Sequence, residues 1–233
     1  MCGRYTLTVP LPELVDIFDV APPGFDYLPR YNIAPTQEAP VVARDSGGRR
    51  MGLLRWGLIP SWARDPGVGS RLINARSETV AQKPAFRQAF RTRRCLVPAD
   101  GFFEWRKEGE SAGGKGSKQP FWIHRATREP FGLAGLWERW VPPEGDPLHT
   151  FTILTTEATE VIRDIHPRMP VILAPEAWDR WLDPQAREKE LLGLLGFYGE
   201  GDLQARPVST LVNSPRNDQP ACIEPLEGIE ERG

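Results

Sequence analysis

With 233 residues, 40% of them hydrophobic and 26% charged, the chain has the length and composition of a folded domain with a sizeable core. A formal net charge of −2 gives no global sign of a polyanion partner, and three scattered cysteines (Cys2, Cys95, Cys222) argue against a disulfide framework or a cysteine-built zinc site. No apolar run is long enough to cross a bilayer, and the opening MCGRYTLTVPLPELVD lacks the basic-then-apolar layout of a signal peptide, so a cytoplasmic protein is expected.

In chain order, LPELVDIF first sets Leu11, Leu14, Val15 and Phe18 at helical spacing. Residues 40–45 and 49–59 read as hairpin arms joined by Ser46-Gly47-Gly48. Between Arg64 and Arg94 lie eight basic residues (Arg64, Arg71, Arg76, Lys83, Arg87, Arg91, Arg93, Arg94) against Asp65 and Glu78. Such a surplus either attracts phosphates or forms a solvated face. Residues 96–108 and 119–125 read as arms around EGESAGGKGSK, a flexible Gly/Ser/Lys loop, and 131–141 and 149–155 as arms around PPEGDP. Thr156 is placed to cap a helix over 157–165 with Val161, Ile162 and Ile165 inward, and 176–182 and 186–195 read as two more helices. The 24 prolines and 22 glycines keep regular elements short. The sum is a single α+β domain over 1–233, built of antiparallel hairpins with peripheral helices and ending in an acidic tail from about 226 to 233. With no G-x-G-x-x-G, P-loop or H-E-x-x-H, dinucleotide, nucleotide and zincin readings lose their usual support.

Four segments carry candidate chemistry. Removal of Met1 leaves Cys2 with a free α-amine beside a thiol, groups with reference pKa values of about 8 and about 8.5. The amine condenses with an aldehyde to an imine and the sulfur closes onto the same carbon, giving a five-membered thiazolidine that no internal cysteine or lysine can form. A buried, incidental cysteine is the plainer reading. Glu104, in ADGFFEWRKE, shares a strand face with Phe102 and Arg106, where desolvation raises a carboxyl pKa; an arginine ion pair is its alternative. His166, in DIHPRMPVIL, falls between a predicted helix and a predicted strand, a place from which side chains are aimed into clefts, whereas His124 and His149 fall inside strands. Asn74 and Arg76, in RLINARSET, suit a neutral donor and a phosphate ligand on one side of an extended segment, or an ordinary turn.

Taken together, MCGRY, YNIAPTQ, RWGLIPSW, INARSET, CLVPADGFFEW, IHPRMPVIL and PVSTLVNSPRND occur in an order that resembles the SRAP family, the SOS-response-associated, abasic-site-processing proteins, from Cys2 to about Pro225. The resemblance implies a barrel-like core and a sensor of abasic sites in single-stranded DNA, acting in the DNA damage response as a monomer without cofactor or metal. It implies covalent attachment through Cys2 after autoproteolytic loss of Met1, a peptidase-like or lyase-type activity. It implies that Asn74 orients the opened sugar, Glu104 moves protons and His166 assists ring opening. Arg4, Arg76 and Arg168 match phosphate-holding positions, Trp62 matches a base-stacking aromatic, and Asn32 of YNIAPTQ joins the DNA-binding set.

The chemistry agrees with that assignment. An abasic site is a masked aldehyde. A lysine Schiff base would promote β-elimination and strand breakage, whereas closure by sulfur quenches the iminium and leaves the strand whole. Ala63 stands where family members often carry a second aromatic after the tryptophan of PSW, which weakens the expected wedge at a strand–duplex junction. A cysteine-type peptidase with His166 as base, and a non-covalent single-strand-binding module, are the competing functions. A protease nucleophile has no need of the chain terminus; thiazolidine chemistry does.

Overall fold

The computed structural model describes residues 2–109, 117–196 and 201–226, and the acidic tail and most of the Gly/Ser/Lys loop lie outside them. Among these residues there are thirteen strands: β1 (Arg4–Leu7), β2 (Arg30–Ile33), β3 (Glu38–Asp45), β4 (Gly48–Trp56), β5 (Asn74–Arg76), β6 (Arg94–Ala99), β7 (Gly101–Lys107), β8 (Lys118–Arg125), β9 (Phe131–Trp140), β10 (Leu148–Glu157), β11 (Arg168–Pro170), β12 (Ile172–Leu173) and β13 (Leu203–Pro207). Five short helices decorate them: α1 (Leu11–Phe18), α2 (Arg87–Thr92), α3 (Glu160–Arg163), α4 (Trp178–Leu182) and α5 (Glu188–Gly193). None is long and apolar enough to cross a membrane.

The strands form two sheets, mostly antiparallel. One runs β13-β8-β7-β1-β2. In the other, β10, β4, β3, β6 and β9 pair in succession and β9 pairs back onto β10, so the five strands close into a ring. β11 and β12 extend this sheet on β10 and β9, and β5 adds to β10 in parallel. The α+β barrel-like expectation holds. The two sheets share one core, in which Tyr5 of β1 meets Trp56 of β4 edge-on at 5.3 Å and Trp56 stacks on Phe151 of β10. A smaller apolar cluster of Phe103, Trp122, Val208, Val212 and Cys222 covers the opposite face of β7.

The hairpin joined at Ser46-Gly47-Gly48 forms as expected, as β3 and β4. Elsewhere tertiary pairing redraws the boundaries. The arm read over 96–108 breaks at Asp100 into β6 and β7, which belong to different sheets. Gly101 is obligatory at that break, because a Cβ there would sit 2.1 Å from the indole nitrogen of Trp122. The helix read over 157–165 shrinks to α3, since pairing with β11 draws Thr155, Thr156 and Glu157 into β10. The helices read over 176–182 and 186–195 are also shorter: 3-10 backbone at Pro175–Ala177 leads into α4, and α5 is confined to Glu188–Gly193. Within the basic run lies the unexpected α2, on which Ala89 and Phe90 are buried.

Candidate active site

Two walls meet at the site. The first is the β1–β7 pair. Its register (Tyr5 opposite Phe102, Arg4 opposite Phe103) runs toward Glu104 as β1 runs back toward Cys2. Strand alternation turns Phe103 and Trp105 into the smaller cluster and Glu104 to the other side. At the far end of β1, buried Asp100 accepts hydrogen bonds from the hydroxyls of Thr6 and Thr8, each at 2.5 Å, and from the Thr8 amide at 2.5 Å. No local pattern in ADGF singles out this carboxylate, because its partners come from a strand more than ninety residues away.

The second wall is the C-terminal half of β10 and its neighbours. β5 pairs Asn74 with Ile153 and Arg76 with Thr155, while β11 pairs Arg168 with Glu157 from the other side. His166 stands just before β11, and its Nδ1 lies 3.0 Å from the Arg168 amide nitrogen, which donates to it. The walls touch through two contacts. The Asn74 side-chain amide donates to the Cys2 carbonyl at 2.7 Å, and His166 Nδ1 lies 3.9 Å from Glu104 Oε1. Residues 2, 74, 104 and 166, far apart in the chain, therefore converge.

Burial sets the protonation states. Glu104 is 2% exposed, and desolvation lifts its carboxyl to about 7. Desolvation pushes the imidazole of His166 below its usual value, more than the Arg168 backbone contact restores. Near neutrality the histidine is thus uncharged and Glu104 is close to half-protonated, so the two do not form a fixed ion pair. The fully buried Cys2 thiol is pushed far up, first by desolvation and then by Glu104, and is held as the neutral S–H, 3.8 Å from the Arg4 carbonyl oxygen. Asn74 Oδ1 is buried without a hydrogen-bond partner among the described residues, leaving an acceptor available inside the site.

The expected DNA-contacting residues divide in two. Trp62, 65% exposed, and Arg76 are open to solvent. Trp62 rides on a loop whose neck is pinched where Gly57, at φ +117°, faces Gly69; a Cβ on Gly57 would lie 2.7 Å from the Gly69 carbonyl oxygen. Arg4, Asn32 and Arg168 are instead engaged within the protein. Arg4 donates to Asn32 Oδ1 and to the carbonyls of Val212 and Asn213, and buried Asn32 donates to the carbonyls of Val212, Ser214 and Asn217. Arg168 grips both carboxylate oxygens of Glu78, at 2.6 and 3.0 Å. Within the basic run, Arg94 is buried and donates to four backbone carbonyls, while Arg93 and Arg91 pair with Glu138 and Glu188. Arg64, Arg71, Arg76, Lys83, Arg87 and Arg91 form its exposed part.

The family model for SOS response associated peptidase (SRAP) matches residues 1–215. The chain belongs to the SRAP family. Among its SRAP relatives, the Bacillus subtilis protein named abasic site processing protein YoqW is 43% identical over 227 residues, spanning 96% of this chain and 99% of that one. The chicken (Gallus gallus) protein named abasic site processing protein HMCES is 36% identical, over 86% of this chain and 67% of its own. The SRAP fold described above also superposes on a crystal structure of a Bacteroides thetaiotaomicron protein, with a TM-score of 0.84 and 25% identity over 97% of this chain and 100% of that one.

Proposed function

We propose that this protein captures abasic sites in single-stranded DNA covalently, using the amine and thiol of Cys2 after Met1 has been removed. The observation that carries the reading is the convergence of Cys2, Asn74, Glu104 and His166 across two sheets, with Asn74 bound to the Cys2 carbonyl and Glu104 near His166. Relatives named for abasic-site processing support it.

The abasic deoxyribose is a cyclic hemiacetal. Neutral His166 takes the proton of its C1 hydroxyl and returns it to the ring oxygen as the C1–O bond to that oxygen breaks, and the sugar opens to the aldehyde. The Cys2 amine adds to that carbon, and Glu104, close to half-protonated at neutral pH, protonates the departing hydroxyl so that water leaves and an iminium remains. The Cys2 sulfur then bonds to the same carbon as its S–H proton passes to Glu104. Aldehyde and aminothiol become thiazolidine and one water. Asn74 holds the cysteine backbone and offers its Oδ1 to the opened sugar, while Trp62 stacks a base and Arg76 holds a phosphate. Met1 removal is an autoproteolytic step at this site, and the protein acts as a monomer.

Mixing the Met1-processed protein with an abasic-site oligonucleotide tests the reading on a denaturing gel. An adduct stable to heat and detergent is expected, and neither Cys2→Ala nor a protein with a blocked amino terminus should give one. An equal adduct from the blocked protein would eliminate the aminothiol mechanism. Retention on native gels without any adduct would favour a non-covalent binder, and cleavage of added peptides a peptidase.

A further inference from the structure

We propose that Glu78 is a positioning residue for His166, acting through Arg168, so that the Glu78–Arg168 pair is a buckle across β10 that holds the two flanks of the site together. The inference rests on the proposed role of His166, but its first test does not involve DNA.

Arg168 begins β11, on one side of β10, and Glu78 lies just after β5, on the other. The guanidinium reaches back over β10, donating to the Thr155 carbonyl oxygen at 2.6 Å, and ends on Glu78 in a two-pronged contact. Ser77, next to Glu78, donates its amide to the same Thr155 carbonyl at 2.9 Å. One backbone oxygen of β10 thus receives both flanks, and the ion pair closes over it. β5 and β11 are only three residues long, too short for strand pairing alone to fix their ends.

The link to His166 is local. The Nδ1 of its ring contacts the backbone nitrogen and oxygen of Arg168, at 3.0 and 2.9 Å, so the ring orientation follows the backbone that the guanidinium anchors. The side chain of Arg168 is 15% exposed and that of Glu78 47%, so the buckle faces outward and its removal leaves the core intact. Bidentate geometry also separates this pair from an ordinary surface contact, since it constrains direction as well as distance. Glu157, directly opposite Arg168 in the register, is the acid a simple strand argument would choose, yet Arg168 turns to Glu78 instead.

Three histidines make the imidazole signals of the free protein easy to assign by NMR. The charged groups acting on His166 are Glu104 from β7, Arg168 from β11, Lys118 from β8 and the chain's amino terminus. Deleting the Glu78 charge alone would lower the titration midpoint of His166, because an anion is lost and Arg168 remains. Loosening the ring into water would raise it toward the ordinary histidine value, since burial is the main cause of its depression. Glu78→Ala should therefore move the His166 midpoint upward, Arg168→Lys should do the same, and Glu157→Ala should leave it in place. A midpoint that stays put or falls in Glu78→Ala, in protein shown to be folded by its thermal melt, overturns the proposal.

With abasic oligonucleotide at saturation, Glu78→Ala should cross-link about tenfold more slowly, as displacement of a catalytic group by a fraction of an ångström does. Non-covalent affinity, read in a Cys2→Ala background, should stay within about twofold. Affinity that rises while the saturated rate holds would make Glu78 a competitor for the phosphate and would also overturn the proposal. If the wild-type protein forms no adduct, the covalent reading fails, and the histidine titration still decides the buckle.

Discussion

The two walls of the site are built on different principles. The wall carrying Cys2 and Glu104 rests on the continuous pairing of β7 with β8 from Phe102 to Lys107, backed by Phe103, Trp105 and Trp122, with the short β1 beside it pinned by the triply bonded carboxylate of Asp100. The wall carrying Asn74 and His166 hangs on two three-residue strands attached to β10, joined by side chains. Glu104 and Cys2, whose pKa values burial displaces strongly, therefore sit together in the stiff wall, where their desolvation is maintained, and Asn74 and His166 sit in the adaptable one. A carboxyl whose pKa is set by burial needs a constant environment, whereas segments held by few strand pairs have room to adjust.

The contrast is broken most severely at Glu104. Glu104→Gln should slow adduct formation by about 10²–10⁴-fold and erase the inflection near pH 7 from the rate profile. Because its carboxyl is raised in the fold, from the ordinary 4.5 to about 7, the wild-type protein has this residue's contribution in full below pH 4.5 and loses stability as pH rises through 7. Glu104→Gln should accordingly flatten that decline and gain on the order of 3 kcal/mol at alkaline pH, read from urea denaturation at pH 5 and pH 9. A parallel pH dependence in the two proteins would mean the carboxyl is not desolvated.

Next in size is the pin of the stiff wall. Asp100→Ala removes the acceptor of three hydrogen bonds and should cost about 3 kcal/mol of stability, visible as a lowered denaturant midpoint; a loss below about 1 kcal/mol would assign the rigidity of β1 to its backbone alone. On the open side, Trp62→Ala should weaken non-covalent binding of abasic single strands about tenfold by fluorescence anisotropy, with the rate at saturation unchanged. Smallest is Arg76→Ala, which should cost a few-fold in affinity at low salt and reduce the slope of log affinity against log salt by about 0.7. An unaltered slope would remove Arg76 from the phosphate contacts.

The parts of this site legible in the sequence are those encoded locally. Alternation in GFFEW is enough to assign Glu104 and Phe103 to opposite faces, and the run of MPVIL after His166 marks a strand start. The partners of these residues are set by register between sheets, which no spacing within one segment reports. Arg168 illustrates the gap: the family resemblance gives it a phosphate-holding position, yet in the fold it pairs with Glu78, ninety positions away. Arg94 illustrates it again, since one member of a basic run that reads as a solvated face is buried under α4 and satisfied by carbonyls. The helix expected after Thr156 yields for the same reason, to strand pairing with a segment a dozen residues on.

Closure of the ring has a bearing on how the molecule opens. Strands β10, β4, β3, β6 and β9 each have a partner on both sides, so none can peel away without breaking the circle, and their amides should exchange with solvent only when the whole domain melts. β5 and β11 are riders on that circle. Their amides should exchange orders of magnitude sooner, through excursions that leave the circle shut, so this flank of the protein can breathe while the domain remains folded.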